Sequence, residues 1–283
     1  MSILLALVSA LCYGTSDFIG GVLSARIKPW TAAFTGQFAG SILLGLLCLV
    51  RGIPLSADAV GWGALAGLGG GVGIIYLYRG LSIGRMGVVA PLSGVLAALV
   101  PAAVGVLTGD RPSTISWIGM AAALPATWLV ASSGEQPTRD GSLRRAALGE
   151  GVLDGILAGA GFGLSFAAVP QAPASAGQWP VSVELLVAAL VAVIGATIAR
   201  EAWVPRTRTA LLTVSTGVLA AAALVSFLTA THHGMLAVTS VIAALYPAAT
   251  VLLAVVVLRE RVHRSQALGL GLCAIAVALV AGG

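Results

Sequence analysis

Apolar runs of about bilayer length follow one another along the whole chain, separated by short polar turns. Windows of roughly 20 residues, the length a helix needs to cross a hydrocarbon core, place spans near 2–23, 30–50, 59–81, 88–108, 113–133, 150–170, 178–199, 210–231, 236–257 and 265–282. The longest connector, polar with Gly, Pro and mixed charge, occupies 134–149 and leaves five spans on either side. The reading is therefore an all-α integral membrane protein of ten transmembrane helices, in two halves, 1–133 and 150–283, with no soluble domain.

The two halves repeat one another. Ser93–Ala103 (SGVLAALVPAA) answers Thr239–Ala249 (TSVIAALYPAA), and Asp110-Arg111 with Gly119 answers Glu260-Arg261 with Gly269. Earlier in each half, Tyr13-Gly14-Thr15-Ser16 answers Phe162-Gly163-Leu164-Ser165. An odd number of spans per repeat turns the second half upside down relative to the first. Two inverted five-helix repeats around a central cavity are a common plan among secondary transporters, whose substrate sites lie where the repeats meet.

Composition narrows the classes further. With 58% hydrophobic and 9% charged residues and a mean hydropathy of +1.02, too few polar side chains remain to solvate a soluble surface. The net charge of +5 does not point to nucleic acid, because the basic residues fall between apolar spans and form no stripe. They are topology signals instead. Arg26, Lys28, Arg85, Arg139, Arg144, Arg145, Arg200, Arg206, Arg208, Arg259, Arg261 and Arg264 follow odd-numbered spans, against Arg51 and Arg111 on the other side. The positive-inside rule makes the first side cytoplasmic and puts both termini outside. Met1–Cys12 lacks the positive n-region of a cleavable signal.

Glycines at every fourth position, Gly63, Gly67 and Gly71 in span three and Gly151, Gly155, Gly159 and Gly163 in span six, predict flat faces for close helix packing in lipid. Gly67–Gly73 has neither the strand context nor the spacing of a nucleotide-binding loop. Cys12, Cys48 and Cys273 sit in apolar spans without paired spacing, so no disulfide framework, metal or cofactor is expected.

These features resemble the drug/metabolite transporter superfamily, EamA-domain type. The resemblance is carried by Tyr78–Pro91 (YRGLSIGRMGVVAP), by the Pro101 to Gly119 region with Asp110-Arg111, and by Leu245-Tyr246-Pro247 running to Glu260-Arg261 and Gly269. It implies a ten-helix bundle that moves small metabolites, often outward, through a cavity lined mainly by spans one, three, four, six, eight and nine. It also implies cytoplasmic termini, the reverse of the charge count. This chain departs from the usual pattern in having Asp110 where Glu is common, and in lacking a basic C-terminal tail.

Among single residues Asp17 stands out, since a carboxylate inside an apolar span costs about 2.5–3.5 kcal/mol on insertion scales. Spans one and three run in the same direction and bring Arg79 to a similar depth, so an Asp17–Arg79 pair is expected to couple or gate transport. Glu184 in span seven, with His232 and His233 closing span eight, forms a second titratable group near the opposite face. Tyr13, Ser16, Tyr76, Tyr78, Ser93, Phe162, Ser165, Thr239 and Tyr246 are candidates for the substrate wall. Pro91, Pro101 and Pro247 are expected to kink their spans.

The leading expectation is a secondary transporter in the cell membrane, of bacterial inner-membrane type, exporting small polar or amphipathic solutes such as amino acids by alternating access with proton exchange. A lipid-carrier flippase on the same scaffold is the alternative. An intramembrane enzyme ranks below both, because there is no His-Glu-x-x-His motif and Gly163-Leu164-Ser165-Phe166 lacks the second glycine of a nucleophile elbow.

Overall fold

The computed structural model describes residues 1–24, 27–82, 86–131, 141–259 and 263–282, and every regular element among them is helical. In chain order the α-helices are α1 (Ser2–Ser24), α2 (Pro29–Val50), α3 (Ala57–Ser82), α4 (Met86–Thr108), α5 (Thr114–Ala131), α6 (Gly141–Ala168), α7 (Trp179–Ile198), α8 (Arg208–Leu212), α9 (Val214–His232), α10 (Leu236–Ala243), α11 (Tyr246–Leu258) and α12 (Arg264–Gly282). Eight helical stretches among the described residues are long and apolar enough to cross a membrane. Two of these join successive helices, α8 with α9 and α10 with α11, and two shorter apolar helices, Leu92–Thr108 and Thr114–Val130, fall between the third and fourth of the eight. The protein is a multi-pass membrane protein.

Two boundaries differ from the sequence reading. Helix α6 begins at Gly141, inside the stretch expected as connector, where Leu143, Arg144, Arg145, Ala146, Ala147 and Leu148 are all good helix formers. Span nine is interrupted: α10 stops at Ala243, and α11 restarts at Tyr246 with Pro247 in its first turn. Proline has no N–H for the ladder and its ring clashes with the preceding turn, so the break falls where Pro247 was expected to kink the span. Helix α4 runs on through Pro101, whose side chain is fully buried.

The helices pack chiefly on the opposite half. Helix α5 lies along α12, α4 and α3 along α6, α3 and α2 along α7, and α1 and α2 along α9. Exchanging the halves maps these contacts onto one another: the α3–α6 contact answers α9–α1, α3–α7 answers α9–α2, and α4–α6 answers α10 and α11 with α1. Within a half, consecutive helices touch far less.

Glycine makes these crossings possible. On α3, a β-carbon at Gly63 or Gly67 would lie 2.5 Å from the carbonyl oxygens of Pro180 or Glu184, and one at Gly71 would lie 2.6 Å from Val191 Cβ. The row expected from the sequence is thus the α3–α7 seam. Gly155, Gly159 and Gly163 form the α6 side of the seam with α4, meeting Leu92, Leu96 and Val100. Hydrocarbon tails offer no hydrophobic drive for helix association, so such backbone-to-backbone approach supplies the dispersion contacts that hold the bundle.

The connectors gather at two ends. At one, Lys28 pairs with Glu201 at 2.5 Å and Thr31 donates to the Ala202 carbonyl. At the other, Trp179 Nε1 donates to the Ile53 carbonyl, and Gly234 lies against Ser2.

Candidate functional site

Helix α1 shows where the bundle is hollow. Leu4, Leu11 and Val22 are exposed on one face, whereas Ala6, Ala10, Tyr13 and Asp17 recur with helical spacing on the opposite face. Ala6 and Ala10 are buried, Tyr13 is half-buried and Asp17 is exposed. Exposure on the inward face requires open space within the protein. Asp17 therefore meets open space on the protein side of α1, away from the face that carries Leu4, Leu11 and Val22.

Aromatic rings line the deeper part of this space. The Tyr13 ring lies 6.1 Å from Tyr246 and 5.7 Å from Phe166, and Phe166 lies 4.9 Å from Phe227. Four elements meet there: α1, α6, α9 and the first turn of α11. Gly14 makes the approach of α11 possible, since a β-carbon on it would lie 2.6 Å from the Tyr246 carbonyl oxygen. Tyr13 is within electrostatic reach of Asp17, Glu184 and Tyr246.

Glu184 is 4% exposed, on the face of α7 that also buries Val181, Leu185 and Ala188. Ser165 Oγ on α6 donates to its Oε1, and its Oε2 has no hydrogen-bond partner. Across from the pair, α3 presents Gly70, whose β-carbon would lie 3.7 Å from Ser165 Oγ and 3.8 Å from Glu184 Oε1. Glu184 thus belongs to the interior with Ser165 and Tyr13. His232 and His233, grouped with it in the sequence reading, are exposed at the end of α9.

The expected Asp17–Arg79 pair does not form. Arg79 continues the outward face of α3 that carries exposed Leu68 and Val72, with Tyr76 beside it, its guanidinium 6.0 Å from the Tyr76 ring centre. Equal depth in the membrane did not bring Arg79 to Asp17 because the two side chains leave their helices in different directions. Instead Arg79 Nε lies 3.7 Å from Oδ1 of Asp154 on α6. Asp154 is 1% exposed, and neither carboxylate oxygen has a hydrogen-bond partner. Sequence reasoning passed over this residue, although it stands within a predicted span and the argument that singled out Asp17 applies to it equally.

The remaining wall candidates divide. Tyr13, Ser165 and Tyr246 converge on the interior, and Phe162 packs on Gly73 of α3 beside them. Tyr76 shares the outward side of α3 with Arg79. Ser93 is buried where α4 meets Gly159 of α6. Thr239 is fully buried and donates to the Met235 and Leu236 carbonyls of its own helix, while Ser16 donates to the Thr216 carbonyl and ties α1 to α9. The Thr239 and Ser16 hydroxyls thus bond to helix backbone, and Ser93 is buried in the α4–α6 seam. The side chains of Tyr78 and Pro91 lie outside the described residues. Phe166 and Phe227, which complete the aromatic cluster, carry no signal in the sequence beyond hydrophobicity.

The duplicated acidic residue has a structural part. Asp110 Oδ2 accepts a hydrogen bond from the Ala237 N–H at 2.8 Å, so a carboxylate from one half caps the first turn of α10 in the other. Negative charge is favourable at a helix N-terminus, where N–H groups are unpaired. No group of three or more His, Cys, Asp or Glu among the described residues is arranged to hold a metal ion.

The family model described as EamA-like transporter family matches residues 1–132 and again 149–282. One solved structure, described only as a crystal structure of protein, superposes with a TM-score of 0.76 over 99% of this chain and 98% of its own, at 17% sequence identity. That likeness is one of fold. No curated protein sequence matches closely enough to count as a relative.

Proposed function

The chain belongs to the EamA-like transporter family, a membrane transporter family of the drug/metabolite type, and from that premise we propose a secondary transporter exporting a small polar or amphipathic metabolite by alternating access, with protons exchanged at Asp17. The ten helical stretches form two inverted repeats, 1–133 and 150–283, joined through the connector between them. The exchange of contacts between the halves supports this plan, since a pseudo-two-fold relation produces that pattern. The home is a plasma membrane, and the basic residues that follow odd-numbered spans favour an orientation with the Asp17 end toward the cytoplasm.

The observation that carries the reading is the carboxylate of Asp17, open to an interior chamber with no ion pair among the described residues. Exposure falls from Asp17 through half-buried Tyr13 and Tyr246 to buried Ser165 and Glu184. The chamber is thus open at one end and closed toward the other, as one state of an alternating-access cycle requires. An isolated carboxylate in that setting is favoured as the neutral acid when shut from water and as the anion when wetted. Opening and closing would then load and release a proton.

The test pairs two measurements. Culture medium from cells with and without the chain is profiled for metabolites, and any solute enriched by the chain is loaded into liposomes containing purified protein. Solute movement driven by an imposed pH difference supports the proposal. No enrichment, and no pH-driven flux of any enriched solute, overturns it.

A further inference from the structure

Resting on the transporter reading, we infer that the chamber binds an organic cation: a primary amine on a flat apolar body, its ammonium drawn by the Glu184 and Asp17 carboxylates and its body against Tyr13 and Tyr246.

The first reason is Glu184. Its Oε1 is occupied by the Ser165 hydroxyl, while Oε2 is buried with nothing to satisfy it. A carboxylate oxygen removed from water without a partner is costly, and a proton or a bound cation relieves that cost. Gly70 of α3 packs on the pair, a β-carbon there lying 3.7 Å from Ser165 Oγ and 3.8 Å from Glu184 Oε1, so α3 adds no polar side chain that could satisfy Oε2.

The second reason is the balance of charge around the space. From α1 it receives Asp17 and the Tyr13 phenol, from α7 Glu184, and from α11 the Tyr246 phenol, which lies within electrostatic reach of Asp17. Four described basic residues are placed elsewhere: Arg79 on the outward side of α3 against Asp154, Lys28 paired with Glu201, and both histidines of the α9 end exposed at the opposite mouth. Asp154 of α6 faces Arg79. A solute carboxylate entering the chamber would meet two acidic side chains and no described basic one. An ammonium has three donors to divide between them.

The third reason is the aromatic surface. Tyr13 and Tyr246 stand 6.1 Å apart at an interplanar angle of 52°, with Phe166 edge-on to Tyr13. Such faces take a flat apolar body by dispersion and favour a cation near the ring. Proton and ammonium compete for the same oxygens. When the solute arrives already protonated as RNH3+, the carboxylic acid releases its proton to water and the carboxylate binds the ammonium, so one cation is exchanged for the other.

The experiment uses four probes sharing one body: phenethylamine, phenylalanine, 3-phenylpropionate and 2-phenylethanol. Binding to the full-length protein in detergent is measured by calorimetry at neutral pH. Phenethylamine should bind at least tenfold more tightly than each of the others, and Glu184→Gln, which retains an acceptor for Ser165, should weaken it tenfold or more. Should Glu184→Gln fail to give monodisperse protein, Asp17→Asn, whose side chain is exposed to the chamber, carries the same expectation. Equal binding of phenylalanine or 3-phenylpropionate overturns the inference, as does unchanged phenethylamine affinity in whichever variant folds. A chain that transports some solute by the test given above, yet shows no preference for the amine, retains the transporter reading and loses this one.

Discussion

Gly119 of α5 lies directly against Val280 of α12, so closely that a β-carbon on the glycine would stand 2.7 Å from Val280 Cγ2. The relation is reciprocal: a β-carbon on Gly269 of α12 would stand 2.8 Å from Val130 Cγ2 of α5. The glycine that follows each acidic–Arg pair in the sequence is thus the contact point of one half with the last helix of the other. Gly119→Val and Gly269→Val should each destabilise the protein by roughly 1–3 kcal/mol through overpacking, lowering the thermal midpoint in detergent. Gly271→Ala, with nothing within 4 Å, should leave it unchanged.

Asp110→Ala removes the side chain that receives the Ala237 N–H. Loss of a helix-capping acceptor costs about 1 kcal/mol. The expected signature is local, namely faster hydrogen exchange at the first amides of α10 with little change in α2 or α7. Uniform acceleration across the bundle would show that Asp110 acts on global stability instead.

Arg79→Gln leaves Asp154 buried without its cation. Because Arg79 is itself 54% exposed, the expected loss is roughly 1–3 kcal/mol, below the range for a fully buried pair. Asp154→Asn should be milder, and the double variant should recover most of the stability lost in Arg79→Gln. Additive losses in thermal unfolding would mean that the two residues do not act as a pair.

Asp17→Asn tests coupling separately from folding, because Asp17 is exposed to the chamber and tied to no described partner. The variant should purify normally and support counterflow once solute is raised above its weakened affinity, yet fail at any solute concentration to accumulate solute against its gradient when a pH difference is applied. Accumulation at the wild-type level would assign Asp17 no part in coupling.

A cysteine at exposed Pro54, in the α2–α3 connector, reports orientation once the native cysteines are replaced. The basic-residue distribution predicts ready modification by an impermeant thiol reagent in intact cells. Modification only after lysis would reverse the orientation.

What the chain disclosed in advance followed from periodicity and repetition. Gly63, Gly67 and Gly71 announced a close-packed face because a four-residue glycine spacing on a helix has few other uses in lipid, and the α3–α7 seam uses that face. Tyr13, Ser165 and Tyr246 were singled out because each belongs to a stretch repeated between the halves, and the bundle turns all three inward. Ser93 and Thr239, singled out by the same reasoning, are buried in helix contacts, since duplication preserves packing as faithfully as it preserves a site. Arg79 was assigned to Asp17 from depth alone, and depth along a helix does not fix the direction in which a side chain leaves it. Asp154 and the Ser165–Glu184 contact required the azimuth of α6 and α7, which only the packed bundle supplies.

The preference of each helix for the opposite half bears on how the protein is made. A ribosome delivers α1 to α5 before their principal partners exist, so the glycine faces of α3 can meet only lipid until α6 and α7 have been inserted, and α5 waits for α12. Most proteins with two similar halves can complete one before starting the other. Here the first half lacks its principal partners until the second is inserted, so truncation after α5 should leave the glycine faces of α3 uncovered and yield no folded half.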